Sequence, residues 1–114
     1  MEANIEVKLT VNTKDFKRAS KEAIERALEE IGMKGENYAK LNLYPGHGFD
    51  TGHLQGSITH DKEGLTVIVG TNVEYAPYVE LGTSKRSPIT FLAPAIEEHI
   101  PEYQDILEKH LKNG

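Results

Sequence analysis

The spacing of apolar residues changes near residue 12, and this change constrains the fold more than any other feature of the chain. Before it, every second residue is apolar, which is the period of a half-buried strand. These residues are Ile5, Val7, Leu9 and Val11. After it, apolar residues recur at helical spacing opposite a charged face, which predicts an amphipathic helix. They are Phe16, Ala19, Ala23, Ala27, Leu28 and Ile31, with Ile24 at the edge of the stripe.

The ends of this helix are marked by weaker signals. Asn12 or Thr13 offers an N-cap, and Asp15 then places a negative charge in the first helical turn. Glycine weakens a helix, but apolar residues resume at helical spacing after Gly35 and reach Leu41. We therefore predict one long helix that begins near Asp15 and continues past Gly35.

The middle of the chain predicts a loop and a hairpin. Residues 44–53 are rich in proline and glycine, which favours a loop. Residues 57–60 and 65–71 are predicted strands, and residues 61–64 between them end in Gly64, which suits a hairpin turn. Gly70 and Gly82 are expected to serve backbone geometry.

The last third of the chain predicts two helices separated by a polar loop. A short helix is expected over residues 73–81, and residues 84–88 form the loop. Pro94 suits the first turn of a final helix, which Pro101 should kink. Phe91 and Leu92 are expected to dock this helix on the sheet. Its apolar stripe is Ile96, Ile100, Tyr103, Leu107 and Leu111.

Together these elements predict an α+β fold. A small antiparallel β-sheet is packed by the long N-terminal amphipathic helix and the C-terminal helix. The length of 114 residues fits a single domain over residues 1–114. Without cysteine, the chain has no disulfide framework. Neither a signal peptide nor an apolar run of about 20 residues, as a membrane span needs, is recognisable.

The formal charge is −5, with 18 acidic and 13 basic residues. This sign is wrong for bulk binding of nucleic acid, in which neutralised phosphates dominate affinity. A charge of this size also keeps a small domain in solution, and that is the simpler interpretation.

One catalytic motif requires consideration. Asp50-Thr51-Gly52 matches the tripeptide of aspartic proteases, and the apolar segment 67–70 resembles the one packed beneath it. A homodimer using Asp50 would bring two carboxylates together to share one proton. However, the tripeptide follows a proline- and glycine-rich loop, and a long charged helix occupies the region where that fold needs strands. The protease is therefore kept only as an alternative.

The histidines give no metal-binding motif. His47, Asp50 and His53 fall in one glycine-rich loop, but a surface loop that happens to contain histidines explains them better. No phosphate-binding or dinucleotide-binding glycine pattern is present. The sequence therefore predicts no cofactor and no metal.

Two residue pairs are candidates for contacts with a partner. Lys85 and Arg86 are a compact basic pair, equally consistent with a solvated loop tip. Tyr75 and Tyr78 are three apart and share a helical face. We expect Tyr78 to anchor its helix to the core. For Tyr75, both an anchoring role and a contact with another subunit are kept as interpretations.

Four sequence blocks, in order, resemble a known family. The chain is similar to the tail-completion and head–tail connector (neck) proteins of long-tailed bacteriophages and prophages, also called minor tail components. The blocks are Thr51-Gly52-x-Leu54-x-x-Ser57-Ile58, Val69-Gly70-Thr71, Tyr75-Ala76-x-Tyr78-Val79-Glu80-x-Gly82-Thr83 and Phe91-Leu92-x-Pro94-Ala95. They cover about the C-terminal two thirds of the chain, and their order is more specific than any single block.

The resemblance implies a non-enzymatic structural protein without a cofactor. Such proteins form rings, commonly sixfold, at the joint between head and tail, and DNA passes through the opening. The implied partners are copies of the chain, connector or head-completion proteins, and tail-tube proteins. The implied location of the protein is the host cytoplasm during assembly and then the virion. Our candidates for partner contacts are Tyr44, His47, Phe49, Asp50, His53, Tyr75, Lys85 and Arg86. A host-encoded protein-binding adaptor remains a second alternative.

Overall fold

The computed structural model describes residues 3–12, 19–43 and 51–113. In these ranges the fold is α+β, with one antiparallel sheet and helices packed on it, as the sequence predicts. The elements are β1 (Ile5–Thr10), α1 (Lys21–Leu41), α2 (Thr51–Ser57), β2 (Thr59–Glu63), β3 (Thr66–Thr71), α3 (Ala76–Leu81), α4 (Ala93–Glu97) and α5 (Ile100–Asn113). None of the helices in these ranges is long and apolar enough to cross a membrane.

The sheet has the order β1-β3-β2, and both strand pairs are antiparallel. Val69 of β3 lies opposite Val7 on one side and His60 on the other, so these three residues share one face of the sheet. The alternation that predicts β1 and the apolar run that predicts β3 are both confirmed.

The second strand begins and ends later than predicted. It spans Thr59–Glu63 instead of residues 57–60, and the turn lies at Gly64 and Leu65 instead of residues 61–64. Gly64 has a φ of 58°, a conformation that glycine adopts without strain. The shift arises because His60 and Lys62 face α1 from β2, so no apolar alternation marks this strand.

α1 covers one face of the sheet and continues through both of its glycines, as predicted. A Cβ atom at Gly35 would lie 3.0 Å from Val69 Cγ2, and one at Gly32 would lie 2.5 Å from His60 Cδ2. The glycines that weaken an isolated helix therefore mark places where α1 approaches the sheet closely. The buried apolar residues of α1 are Ala23, Ala27, Leu28, Ile31 and Ala39.

The start of α1 differs from the prediction. The helix begins at Lys21, and its N-cap is Ser20, which has an extended backbone (φ −71°, ψ 153°). The Ser20 hydroxyl accepts a hydrogen bond from the Ala23 N–H at 3.1 Å, which satisfies one N–H of the first turn. A helix running continuously from Asp15 is therefore wrong, because the extended cap interrupts it. Asp15 and Phe16 lie outside the described residues.

The C-terminal part consists of two helices instead of one kinked helix. α4 ends at Glu97, and α5 begins at Ile100, which places Pro101 in the first turn of α5. A proline in the first turn removes no helical hydrogen bond, so the predicted interior kink does not occur. Phe91 and Leu92 are fully buried and belong to the hydrophobic core. The Tyr103 hydroxyl donates to the Ala95 carbonyl at 2.5 Å and ties α5 to α4.

Candidate interaction surface

A buried carboxylate connects α3 to the beginning of α4. The Glu80 side chain accepts hydrogen bonds from the N–H groups of Phe91 (2.8 Å), Leu92 (2.9 Å) and Ala93 (3.1 Å). Glu80 is only 6% exposed. The three N–H groups lie at the N-terminal end of α4, where a helix leaves its donors unpaired and favours negative charge. Glu80 therefore caps α4 from another helix, a role that its place in the sequence does not predict.

The segment after α3 begins with a glycine that cannot readily be replaced. Gly82 has a φ of 77°, and its N–H donates to the Tyr78 carbonyl at 3.0 Å. A Cβ atom on Gly82 would lie 2.8 Å from the Pro88 nitrogen, so the return of the chain also requires glycine. The Ile89 N–H donates to the Val79 carbonyl at 2.8 Å and fixes the far end of the segment. The expected backbone role of Gly82 is confirmed.

The basic pair lies at the tip of a hydrogen-bonded turn. The Thr83 N–H donates to the Arg86 carbonyl at 2.9 Å, and the Arg86 N–H donates back to the Thr83 carbonyl at 3.3 Å. The Thr83 hydroxyl also accepts from the Lys85 N–H at 3.2 Å and the Arg86 N–H at 3.1 Å. The side chains of Lys85 and Arg86 are exposed. Two basic residues thus lie at the surface on a backbone with defined geometry.

The outward face of α3 is apolar. Tyr78 is 63% exposed and Leu81 is 71% exposed, although both side chains are large and hydrophobic. The prediction that Tyr78 anchors the helix to the core is wrong, because Ala76 and Val79 do so and are buried. We call Tyr78, Leu81, Lys85 and Arg86 the α3–turn surface. It combines apolar area with positive charge, a combination common where proteins bind one another.

The other predicted contact residues lie in a different part of the fold or outside the described residues. His53 is an exposed residue of α2, and Tyr75 is half-buried and packs against the core. Their ring centroids are 6.4 Å apart. Both line a surface depression of about 370 Å³, together with Ser57, Asn72, Val73 and Glu74. Tyr44, His47, Phe49 and Asp50 fall outside the described ranges.

The structure gives the protease motif no strand-rich surroundings. Thr51 and Gly52 begin a helix, α2, and the helix α1 has 21 residues. Asp50 itself falls outside the described ranges. In the described part of the chain, no group of three or more histidine, aspartate or glutamate side chains is arranged to hold a metal ion.

A charged cluster joins β2 to α1. His60 Nδ1 lies 3.0 Å from Glu36 Oε1, and His60 Nε2 lies 2.8 Å from Glu29 Oε1. Burial alone would lower the pKa of His60, but hydrogen bonds to these two carboxylates outweigh it and raise the pKa above 6.5. The hydrogen bond from His60 in turn lowers the pKa of Glu29. Glu29 and Glu36 are seven residues apart in α1, two helical turns, and this spacing is the one signal in the sequence for the cluster.

Comparison with known families connects this geometry to a biological context. The HK97-gp10-like family model, described as "Bacteriophage HK97-gp10, putative tail-component", matches residues 7–82. The match covers about two thirds of the 114-residue chain and runs from within β1 to Gly82 after α3. No curated protein and no solved structure matches the chain significantly.

Proposed function

This chain belongs to the HK97-gp10-like family of bacteriophage tail components, and we propose that it joins or completes the tail at the head–tail interface by assembling into a ring. The family match carries this proposal, because residues 7–82 include most of β1, all of β2 and β3, and the helices α1 to α3. The role is structural, so its action is to bind neighbouring proteins and not to convert a substrate.

Two features of the fold support assembly with other copies. In the described ranges, β1 and β2 are the outer strands of the sheet, and each pairs with β3 alone. An outer strand leaves a row of backbone N–H and carbonyl groups available to another chain. The α3–turn surface adds two large exposed apolar side chains, Tyr78 and Leu81. A ring requires such heterologous contacts, in which one surface meets a different surface of the next copy.

The charge of the chain supports a passage for DNA. With a net charge of −5, the subunits repel phosphate on average, and a lumen of the same sign lets DNA move without sequence-specific binding. The proposed neighbours in the virion are connector or head-completion proteins on one side and tail-tube proteins on the other. The proposed ring is a hexamer that assembles in the host cytoplasm.

Deleting the gene from the phage or prophage genome that encodes it tests the proposed function. We expect electron microscopy of the lysate to show filled heads and tails that have not joined, and a plasmid copy of the gene to restore infectious particles. A plasmid with a stop codon early in the same gene is the control. Normal yields of joined particles from the deletion strain would overturn the proposal.

Native mass spectrometry tests the assembly itself. The purified protein is measured alone and mixed with the connector and tail-tube proteins of the same genome. We expect a ring or a defined complex in at least one mixture. A lone monomer in every mixture contradicts ring assembly. The acidic passage is tested separately, by a structure of the ring and by its migration on a gel with DNA. If DNA binding slows the ring and lysine and arginine line the lumen, the proposed acidic passage is wrong.

A further inference from the structure

We propose that the α3–turn surface is the docking site for the next copy of this chain, and that Lys85 and Arg86 meet the acidic pair Glu97 and Glu98 of that copy. This inference rests on the proposed ring and identifies the two surfaces that form each contact. It follows from the apolar exposure of α3, the placement of the basic turn and the charge of the partner.

The apolar half of the surface identifies a protein as the occupant. Tyr78 and Leu81 are three residues apart, so they lie on the same face of α3. They are 63% and 71% exposed, whereas Ala76 and Val79 on the opposite face are buried. Tyrosine is one of the residue types that most often dominate interface binding energy, and the leucine beside it adds apolar area to the same face.

The charged half of the surface favours a second copy of this chain. Lys85 and Arg86 are both exposed at the turn, beside the end of α3. The chain carries 18 acidic residues against 13 basic ones, so another copy approaches as a net anion. Complementary charge of this kind orients two proteins and increases their association rate.

The acidic counterpart is the pair of adjacent glutamates, Glu97 and Glu98, at the end of α4. Both side chains are exposed, and the neighbours in sequence are Ile96 and His99 instead of a lysine or arginine. Across the described ranges, no ion pair joins either glutamate to a basic side chain.

Several other acidic side chains of the described part are less suitable. Glu29, Glu30 and Glu36 already form ion pairs within the chain. Glu22 lies four residues before Arg26, and Glu25 lies four residues after Lys21, so each has a basic residue on the neighbouring turn of α1. The basic turn and the acidic pair are different parts of the chain, so the turn of one copy can bind the acidic pair of the next, as the heterologous contacts of a ring require.

Charge reversal on each side tests this pairing. The first variant carries Lys85→Glu and Arg86→Glu, and the second carries Glu97→Lys and Glu98→Lys. We expect each variant alone to lose self-association, with the dissociation constant raised at least ~10-fold. An equimolar mixture should restore it, because the acidic turn of one variant then faces the basic pair of the other. Sedimentation velocity and native mass spectrometry measure the association, and circular dichroism confirms the fold.

A matched control separates the proposed contact from general charge effects. Glu22→Lys with Glu25→Lys changes the net charge by the same amount as the second variant, but on the exposed face of α1. This control should associate like the wild type.

Tyr78→Ser with Leu81→Ser tests the apolar half and should weaken association by at least ~10-fold as well.

The remaining outcomes overturn the inference in distinguishable ways. If the wild type forms a ring and both reversal variants do so equally well, the docking surface is wrong and the proposed function stands. If both variants fail and their mixture also fails, the pairing with Glu97 and Glu98 is wrong. If the wild type stays monomeric at every concentration, a second copy is the wrong occupant, and the deletion phenotype then decides the proposed function separately.

Discussion

The Glu80 carboxylate accepts a 2.8 Å hydrogen bond from the backbone N–H of Phe91, eleven positions later in the chain. Glu80 belongs to the sequence block from Tyr75 to Thr83, and Phe91 begins the block that ends at Ala95. Two blocks that look independent in the sequence are thus joined by one side chain. Their order along the chain has a physical reason, because the first block supplies the cap of the helix in the second.

Replacing Glu80 by glutamine should destabilise the protein although the side chain keeps its size. A glutamine has one oxygen instead of two, and its NH₂ group would face a backbone N–H that has lost its acceptor. We expect Glu80→Gln to lower the free energy of unfolding by about 1–3 kcal/mol. Urea denaturation followed by circular dichroism measures this change. The exposed Glu97→Gln is the control, and equal midpoints for the two variants would contradict the capping role.

Substituting glycines in two helices should have opposite effects. Gly32→Ala places a methyl group 2.5 Å from His60 Cδ2, so overpacking of about 1–3 kcal/mol outweighs the helix propensity gained. A methyl group added to Gly56 in α2 would meet no heavy atom within 4 Å, so Gly56→Ala should stabilise by about 0.5 kcal/mol. Thermal denaturation of both variants measures the difference. A stabilised Gly32→Ala would show that α1 does not approach β2 this closely.

The two glycines with positive φ should also differ. Gly64 has a φ of 58° and open space around it, so Gly64→Ala should cost about 1 kcal/mol from backbone strain alone. Gly82 has a φ of 77°, and a methyl group there also meets the Pro88 nitrogen at 2.8 Å. We therefore expect Gly82→Ala to cost about 2 kcal/mol or more. Chemical denaturation compares the two variants, and equal losses would argue against the close return of the chain at Pro88.

The contribution of His60 to stability should depend on pH. Because the folded state raises its pKa above 6.5, the stabilisation by protonated His60 is fully present below about pH 6.5. It is lost as the pH rises through the folded pKa. His60→Gln should therefore cost about 1 kcal/mol at pH 6 and less at pH 9, a modest value because Glu29 is 46% exposed and solvent screens that pair.

Denaturation of the wild type and the variant at both pH values measures this dependence. Glu29 and Glu36 give the opposite pH dependence, because folding lowers their pKa values. Their contribution to the stability of the fold is lost as the pH falls through these lowered pKa values. The exposed His53→Gln is the control. If His60→Gln lowers the free energy of unfolding equally at pH 6 and pH 9, the charge on His60 does not contribute to stability.

The parts of the fold that can be predicted from the sequence are those whose apolar pattern directly reports burial. β1 alternates apolar and polar residues, and α1 keeps its stripe through Gly35, so both are predictable. The start of α1 is not, because Asn12, Thr13 and Ser20 are all acceptable N-caps, and local sequence does not rank them. Pro101 is ambiguous in the same way, because proline both kinks helices and begins them.

The rest depends on contacts between residues that are distant in sequence. β2 faces α1 with His60 and Lys62, so its inward face is polar and has no hydrophobic signal. The role of Glu80 is hidden because charged residues are mostly exposed, and only the return of the chain to α4 gives its carboxylate three donors. The sequence favours a core position for Tyr78 because it lies at helical spacing with Tyr75, whereas the structure turns its side chain outward.

The turn that carries Lys85 and Arg86 is held at both ends, by Gly82 and by Ile89, before any neighbour arrives. A partner that binds there therefore meets a surface whose backbone entropy was already lost when the chain folded. Less of the association free energy is offset by ordering the loop, so a small area of contact can suffice. A subunit with such a turn can bind a neighbour without first ordering the segment that makes the contact.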